Sequence, residues 1–323
     1  MIAIIKIVLK MYTTKKLFNT LRLKSNASVL VVVMIVVALL AAMSAGLAYR
    51  GRMEMQTSKN YIDSLKAYHL AIGGIDRIRA VFSAEEISPA RIKQISMFEK
   101  DAQEEGLFET VDRLKYRIRD EMALLSVNES DPAVWINFDE IDEATAKCIL
   151  DWIDEDSMTD SSGAENEYYI ASQSGYQCKD KNIEAIRELM YVRGIDAKIY
   201  YGDDEKHGLI NLFSAYGDGR VNINTVSADV IDKLPGLGTG IGSAIEQFRN
   251  SDSQNCFKSS QDFSQITELS EMDTDLLGQY CRFDSEYFRI YSQGTADKSR
   301  CNLMAVVKLN GTDLEVLSIE RIQ

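Results

Sequence analysis

The chain has 323 residues, of which 46% are hydrophobic and 26% charged; this globular composition excludes extensive disorder and collagen-like repeats. At about 100–200 residues per domain, the length allows two domains or one domain with a large insertion. The formal net charge of −13 should repel nucleic acid and anionic bilayer surfaces, and the presence of only two histidines argues against His-based zinc sites and Ser-His-Asp catalysis.

The first informative element is an uncharged apolar stretch from Val29 to Ala48. As a helix it would be about 30 Å long, the thickness of a bilayer core. Six basic and no acidic residues precede it within residues 1–26, which predicts a cytoplasmic N-terminus. Three interpretations remain open: a secretory signal peptide cut near Ser44-Ala45-Gly46, a plain membrane anchor, and a prepilin-type leader that is cut off before the apolar stretch. The apolar region of a secretory signal peptide is normally only about 7–15 residues long, which is shorter than this one.

The apolar pattern continues beyond the stretch. Apolar residues recur at spacings of three and four from Tyr61 to Phe82, and no proline occurs before Pro89. The pattern predicts one helix of about 55 residues from Ser28 to Phe82, with a lipid-soluble first half and a second half that packs on a domain. Pilin-like subunits are built in this way, which favours the prepilin-type interpretation.

The junction before the apolar stretch resembles a prepilin cleavage site, Lys24-Ser25-Asn26-Ala27-Ser28. Prepilin peptidases cut after a small residue, usually glycine, and no glycine stands here. Ala27 is the better candidate, which would make Ser28 the first mature residue, and Asn26 is the alternative. Ordinary pilins carry a glutamate at the fifth mature position, where this chain has Val32, or Val31 if the cut follows Asn26. This lack resembles the minor pseudopilins of the K type and is suited to a filament tip.

The region after the helix predicts a polar connection with a short helix over 89–100, mixed strand and turn from Lys115 to Glu129, and a new helix starting at Asp139. Seven carboxylates then fall between Asp151 and Glu167, and they repel one another unless they are solvated or bound to a cation. Oxygen-rich loops suit calcium. The loop is not an EF-hand, because Thr159 stands at the sixth position counted from Asp154, where an EF-hand has glycine. From spacing alone, a solvated loop and a calcium site both remain open.

Three strings around this cluster resemble the signature of the general secretion pathway protein K family, the minor pseudopilins K of type II secretion. They read LDWIDED at 150–156, GAENEYY at 163–169, and IREL with VRG within 186–194. Members of the family bind calcium in an inserted helical domain. The ligands that the resemblance implies here are Asp154, Asp156, Glu165, Glu167 and Asp151.

A further motif reads VNINT at 221–225 and LPGLG at 234–238. Ser227 can cap a helix that runs to Leu234, and a tight turn at Pro235, Gly236 and Gly238 leads into a second helix over Ile241–Arg249. This pattern predicts a helix-hairpin-helix, which the K-type pseudopilins also contain and which resembles a motif of competence DNA receptors. Three basic against four acidic residues from 211 to 250 favour a packing unit over a phosphate-binding unit.

The C-terminal part predicts further helix from Ser259 to Tyr280. Strands follow at 286–294, 302–309 and 313–322, with a hairpin turn at Asn310-Gly311. Five cysteines without CxxC spacing argue against a zinc ribbon or thioredoxin chemistry. They leave open disulfides, with Cys256–Cys281 as the candidate pair, or buried free thiols.

The fold class expected is α+β. It is a pseudopilin fold, with a long N-terminal helix packed on an antiparallel sheet, and it carries a large inserted all-α domain that contains the helix-hairpin-helix. The expected segments are a leader (1–27), the N-terminal helix (28–83), the first part of the α/β domain (84–138), the inserted domain (139–283) and the C-terminal strands (284–323).

The resemblance implies a non-enzymatic subunit at the tip of the type II secretion pseudopilus, which initiates pseudopilus assembly and supports protein export across the outer membrane. The implied partners are the minor pseudopilins I, J and H, the major pseudopilin G, and prepilin peptidase as the processing and methylating enzyme. The implied location is the bacterial inner membrane, single-pass, with the C-terminal domain in the periplasm. A membrane-anchored, competence-receptor-like DNA-binding protein is the alternative; no nucleophile–base pair supports an anchored enzyme.

Overall fold

The structure is a computed structural model. It describes the backbone of residues 2–84, 109–111, 113–172, 175–203, 208–252, 255–311 and 313–322, with side chains from residue 29 onward except in 109–111. The chain divides into two units, Met1–Asp63 and Ser64–Gln323. The short helix predicted over 89–100 lies outside the described residues, and the predicted division into five segments stays a prediction.

The N-terminal helix α1 is one uninterrupted helix, Ile2–Ala84. The continuous helix predicted from Ser28 to Phe82 is therefore confirmed, and it extends further at both ends. Among the described residues, the segment Val29–Phe82 is long and apolar enough to cross a membrane, and none of its most apolar window is buried. Val31 is 55% and Leu47 75% exposed. The core helix of a soluble protein would bury such side chains, so their exposure fits contact with lipid.

Beyond α1, the described residues of the second unit form short helices and nine strands. The strands are β1 Glu109–Val111, β2 Leu114–Asp120, β3 Leu125–Ser126, β4 Phe213–Ser214, β5 Val221–Asn222, β6 Cys281–Arg282, β7 Tyr287–Ala296, β8 Ser299–Asn310 and β9 Asp313–Ile322. The α-helices are α2 Pro132–Trp135, α3 Glu143–Ile153, α4 Asn166–Ala171, α5 Ala197–Tyr201, α6 Leu209–Leu212, α7 Ala228–Asp232, α8 Ile241–Ser251 and α9 Glu271–Tyr280. The part of the chain that the structure describes also contains the 3₁₀ helices Glu121–Ala123, Ile186–Tyr191 and Ser260–Gln265.

The main sheet has five antiparallel strands in the order β1-β2-β7-β8-β9. Ile118 of β2 lies opposite Ile290 of β7, so the whole region between these two strands is an insertion into one sheet. The three predicted C-terminal strands are confirmed with small changes at their ends. Gly311 has a φ of +66° at the predicted turn between β8 and β9, a conformation that glycine adopts without strain.

The C-terminal part of α1 packs on this sheet through small residues. Ala67 and Ala71 are fully buried there, together with Ile75, Ile78 and Phe82. A Cβ on Gly294 of β7 would overlap the carbonyl oxygen of Ala67, which shows how closely the helix backbone approaches the strand.

The predicted apolar stripe of α1 is partly wrong. Tyr61, Leu65 and Tyr68 are exposed although they share the predicted spacing. The buried stripe of this part of the helix passes through Ala67 and Ala71 instead. Their small side chains permit a close approach that the larger residues would prevent.

The inserted region has a hydrophobic core of its own, separate from the core between helix and sheet. Trp135, Phe213, Phe257 and Phe263 are among its fully buried side chains. It is not entirely helical as predicted, because β3 pairs with β4 and β5 with β6 in two short parallel ladders.

Two helix boundaries differ from the prediction and one is confirmed. Helix α3 begins at Glu143 rather than Asp139, because the Asp142 carboxylate caps it by accepting from the backbone N–H of Thr145 at 2.7 Å. The helix predicted over 259–280 is a 3₁₀ turn followed by α9. Ser227 caps α7 as predicted, with its hydroxyl accepting from Val230 N–H.

All five cysteines are buried free thiols. The candidate disulfide Cys256–Cys281 is therefore not formed, and the alternative of buried free thiols is confirmed. Burial raises the pKa of Cys281 to about 12, so this thiol stays protonated at neutral pH.

Candidate metal centre

The acidic cluster lies where α3 ends and α4 begins. Asp154 ends α3 in an extended conformation, and Glu165 forms the N-cap of α4, where its carboxylate accepts from Asn166 N–H at 3.3 Å. The segment that contains Cys178 and Asp180 lies against the same place. Two helix termini and a third segment thus bring the carboxylates together.

Asp151 anchors the base of the cluster from within α3. It is fully buried, and its Oδ1 accepts from the backbone N–H of Asp160 at 3.3 Å. A Cβ on Gly163 would overlap the Asp151 carboxylate. The glycine of the GAENEYY string is therefore required by the close approach of its backbone to a buried carboxylate.

Four carboxylate oxygens in this cluster are shielded from solvent and accept no hydrogen bond among the described residues. They are Asp151 Oδ2, Asp154 Oδ1, Glu165 Oε1 and Asp180 Oδ1. Burying an ionised carboxylate without a partner is costly, and proteins pair such groups or use them to bind a metal. The four oxygens therefore fit a bound cation better than a solvated loop.

The oxygens fall into two overlapping groups. One ligand atom each of Asp154, Asp156 and Glu165 lies within 4.8 Å of the other two, and the same holds for Glu165, Cys178 and Asp180. Glu165 is common to both groups and is only 3% exposed, which makes it the central carboxylate of the cluster.

Burial and mutual repulsion act in the same direction on these groups. Burial raises the pKa of Asp151, Asp154 and Glu165, and neighbouring carboxylates raise each pKa further. Asp156 is the largest such neighbour for Asp154, and Asp180 for Glu165. A divalent cation would relieve both effects by restoring a counter-charge.

The chemistry of the donors favours a hard cation. The Cys178 thiol donates to the backbone carbonyl of Asp151 at 3.1 Å, and burial raises its pKa to about 12. It is therefore a protonated thiol that is already engaged with a backbone carbonyl. The remaining donors are carboxylate oxygens, the ligands that calcium prefers over softer metals.

The predicted ligands are only partly brought together. Asp154, Asp156 and Glu165 form one group, while Asp151 lies behind Gly163 and belongs to neither group of three. Glu167 is exposed on the first turn of α4 and is in neither group, so its role stays a prediction. The sequence does not predict Asp180 as a ligand, because Asp180 lies outside the LDWIDED and GAENEYY strings and reaches the cluster only through the fold.

The basic residues in and near the predicted hairpin, α7 and α8, contact other groups of the protein. Arg249 is buried and donates to the carbonyl oxygens of Ile223 and Val226 at 2.7 and 2.8 Å. Arg220 pairs with Asp218 at 2.6 Å, and Lys233 lies 3.8 Å from Asp139.

Each of the three basic residues from 211 to 250 thus has a protein partner, which disfavours phosphate binding. The assignment of α7 and α8 as a helix-hairpin-helix stays a prediction.

Comparisons with known proteins agree with this architecture. Residues 133–201 match the family described as "Type II secretion system (T2SS), protein K". Type II secretion system protein K of Pseudomonas aeruginosa is 21% identical over 89% of this chain and 90% of its own length. The protein of the same name from Klebsiella pneumoniae is 31% identical over 83 residues, a quarter of this chain.

Among solved structures, the crystal structure of the GspK-GspI-GspJ complex from enterotoxigenic Escherichia coli matches in fold. The TM-score is 0.59 at 17% identity, with 85% of this chain and 99% of that chain covered.

A long N-terminal helix packed on an antiparallel sheet, with a large insertion between two neighbouring strands, defines the pseudopilin class. In sequence, the chain is similar to type II secretion system protein K, through the family match over residues 133–201 and the two relatives of that name. The family is known as a structural part of the secretion apparatus and not as an enzyme.

Proposed function

We propose that the chain is the minor pseudopilin at the tip of the type II secretion pseudopilus, where it initiates assembly with other minor pseudopilins and supports protein export across the outer membrane. The observation that carries the proposal is the insertion of a bulky domain between β2 and β7 of a pseudopilin sheet. A subunit with such a domain would clash with any subunit placed above it. Val32 at the fifth mature position supports a terminal place, because the chain needs no neighbouring amine to pair with a buried carboxylate.

The first half of α1 anchors the subunit in the inner membrane, with the N-terminus in the cytoplasm and the folded domain in the periplasm. Support comes from the exposed apolar side chains between Val29 and Leu47 and from the basic residues that precede them. Prepilin peptidase removes the leader after Ala27 and methylates the new N-terminus at Ser28.

The partners proposed are the minor pseudopilins I, J and H and the major pseudopilin G. The solved structural relative is itself part of a complex with GspI and GspJ. The exposed apolar residues Tyr61, Ile62, Leu65 and Tyr68 of α1 supply a helical surface that neighbouring N-terminal helices would cover. Nucleic acid is not among the expected partners.

The metal centre holds calcium, and its role is structural. Asp154, Asp156, Glu165 and Asp180 are the residues that would hold the ion, and Asp151 supports the loop from below. Calcium supplies the positive charge that the buried oxygens lack. These residues in turn join the end of α3, the start of α4 and the segment at Asp180 into one ordered surface of the inserted domain.

The tip location is tested by labelling pseudopili from a host that carries the cognate secretion system, with gold-coupled antibody against the inserted domain. Label at one end of each pseudopilus is expected. A strain that lacks the chain should fail to secrete its substrates and form few pseudopili, and both should be restored by the wild-type chain. Label along the whole length, or normal secretion without the chain, would contradict the proposal.

A further inference from the structure

The inserted domain joins the sheet through a polar layer. The core of the inserted domain and the core between α1 and the sheet are separate clusters. Between them lie the residues at which the chain leaves β2 and returns to β7. Two consecutive carboxylates, Asp120 and Glu121, occupy the exit, and both are buried, with exposures of 1% and 0%.

Asp120 holds the inserted domain and the returning chain. Its Oδ2 accepts from Asn222 Nδ2 at 3.1 Å, from Thr225 Oγ1 at 2.6 Å and from Ser285 Oγ at 2.6 Å. Its Oδ1 accepts from the backbone N–H of Met122 at 2.9 Å. One carboxylate therefore connects the end of β2 with β5, with the turn that follows β5, and with the segment before β7.

Glu121 holds the same junction from the side of the sheet. Arg289 of β7 places its Nε 2.7 Å from Oε1 and donates from Nη2 to Oε2 at 2.8 Å. Ser214 of β4, in the inserted domain, donates to the same Oε2 at 2.6 Å. Burial by itself would lower the pKa of Arg289, but the adjacent Glu121 carboxylate raises it, so the guanidinium remains charged.

The NINT string is residues 222–225 of the VNINT motif, whose pattern resembles a DNA-binding motif. The side chains of its two asparagines lie in this junction. Asn222 also donates to Ser285 Oγ at 2.7 Å. Asn224 donates to the carbonyl oxygens of Phe257 and Phe283 at 2.9 and 3.0 Å and accepts from Phe257 N–H at 2.8 Å. Both asparagines are buried, so the motif serves the interior of this protein.

We infer that these side chains form a latch that holds the inserted domain in one orientation on the pseudopilin sheet; the latch comprises Asp120, Glu121, Ser214, Asn222, Thr225, Ser285 and Arg289. Apolar contacts are non-directional and would let the two cores slide. Buried hydrogen bonds to carboxylates resist rotation and separation, because either movement leaves a buried polar or charged group without its partner. The domain and the sheet therefore move as one body. The inference goes beyond the proposed function and does not depend on it.

The orientation is measured by pulsed electron spin resonance on the full chain in detergent. Spin labels are placed at Met272→Cys on α9, which is 66% exposed, and at Lys298→Cys in the exposed turn between β7 and β8. The five native thiols are buried and should not react. The wild-type latch should give a single narrow distance distribution.

Two latch variants separate orientation from stability. The double variant Glu121→Met with Arg289→Met removes both charges while keeping apolar bulk, a replacement that is often neutral or stabilising. It should keep its melting temperature and broaden the distance distribution. Asp120→Asn should also broaden it. If Asp120→Asn does not fold, the milder Thr225→Val, which removes one donor to Asp120, replaces it.

Glu143→Gln is the matched control. It weakens the ion pair with Lys147 on α3, which has a similar length of 2.8 Å but is exposed, and it should leave the distribution narrow. Distributions that stay as narrow as that of the wild type in the double variant and in the Asp120 or Thr225 variant would overturn the inference. Broadening in the latch variants alone supports it, whether or not the chain is found at a pseudopilus tip.

Discussion

At the scale of single residues, burial decides what each carboxylate of the acidic cluster does. Asp142 is largely exposed and caps a helix, Asp151 is buried behind a glycine, and Glu165 is buried with an oxygen that no donor reaches. Glu167 differs from Glu165 by only two positions, yet it points to solvent. These carboxylates are close to one another in the sequence. Only the surroundings of each one in the fold decide whether it caps a helix or is a candidate metal ligand.

The first prediction concerns Glu165. Calcium at about a hundred times its Kd should stabilise the wild-type chain by about 2.7 kcal/mol, and Glu165→Gln should lose most of this effect because it removes the carboxylate common to both groups. Glu167→Gln should respond to calcium as the wild type does. Thermal melts with calcium and with chelator measure the difference. An equal calcium response in wild type and Glu165→Gln would refute the assignment.

A second prediction tests the cap of α3. Asp142→Ala should lower the free energy of unfolding by about 0.5–2 kcal/mol, and Asp139→Ala, at the start predicted from sequence, should change it by less than about 0.5 kcal/mol. Denaturant titrations of the two variants give the comparison. Equal losses would show that the cap is misplaced.

The same cap has a pH dependence. Hydrogen bonds from Thr145 lower the pKa of Asp142. Its stabilisation is therefore present above the ordinary aspartate pKa and is lost as the pH falls through the lowered value. The difference in the free energy of unfolding between wild type and Asp142→Ala should therefore become smaller in acid, when the same denaturant titrations are repeated at low pH.

At the scale of elements, α1 serves two environments with one continuous backbone. Its apolar N-terminal part is exposed, and its C-terminal part is buried through alanines that face Gly294. Hydrophobic periodicity identifies the packing helix, but it selects large residues as the buried ones. Which residues of α1 are buried is decided by how closely the helix approaches β7. That distance depends on Gly294, which has no side chain and lies far from α1 in the sequence.

The third prediction tests that approach. Gly294→Ala should destabilise the chain by about 1–3 kcal/mol, because its Cβ would push the helix backbone away from β7. Gly73→Ala adds the same methyl group on the open side of α1 and should stabilise the chain by up to about 1 kcal/mol through helix propensity. Denaturant unfolding of both variants under the same conditions measures the change in the free energy of unfolding, which should be a loss for Gly294→Ala and a gain for Gly73→Ala. A neutral Gly294→Ala would show that the helix can move away at no cost.

At the scale of the whole molecule, the insertion of one domain into the sheet of another determines the architecture. The sheet closes only when β7 pairs with β2 after the entire inserted domain has been made. The junction so formed brings Asp120 and Glu121 to Arg289 and the NINT string.

A fourth prediction concerns the mature chain. N-terminal sequencing of protein from membranes of a host with prepilin peptidase should begin at Ser28, or at Ala27 if the cut follows Asn26. Without the peptidase, the leader should be retained. A start near Leu47 would instead indicate a secretory signal peptide and remove the membrane anchor on which the proposed function depends.

The sequence by itself determined the elements whose signals are local. The apolar span, the continuous helix, the alternation of β7, β8 and β9, the Ser227 cap and the acidic cluster are all encoded by residues within a few turns of one another. The resemblance of short strings to a family also predicted the overall architecture, including the domain inserted into the sheet.

The tertiary structure alone decided which distant residues meet. Asp180 joins the candidate metal centre, and Ala67 and Gly294 set the helix against the sheet. Asn222 of the VNINT string donates to the buried Asp120 carboxylate, and Asn224 bonds to backbone groups of Phe257 and Phe283. The disulfide suggested by cysteine positions is absent, and five thiols are buried instead. Such contacts depend on closing long loops and on packing both cores at once, and no local pattern of residues encodes either.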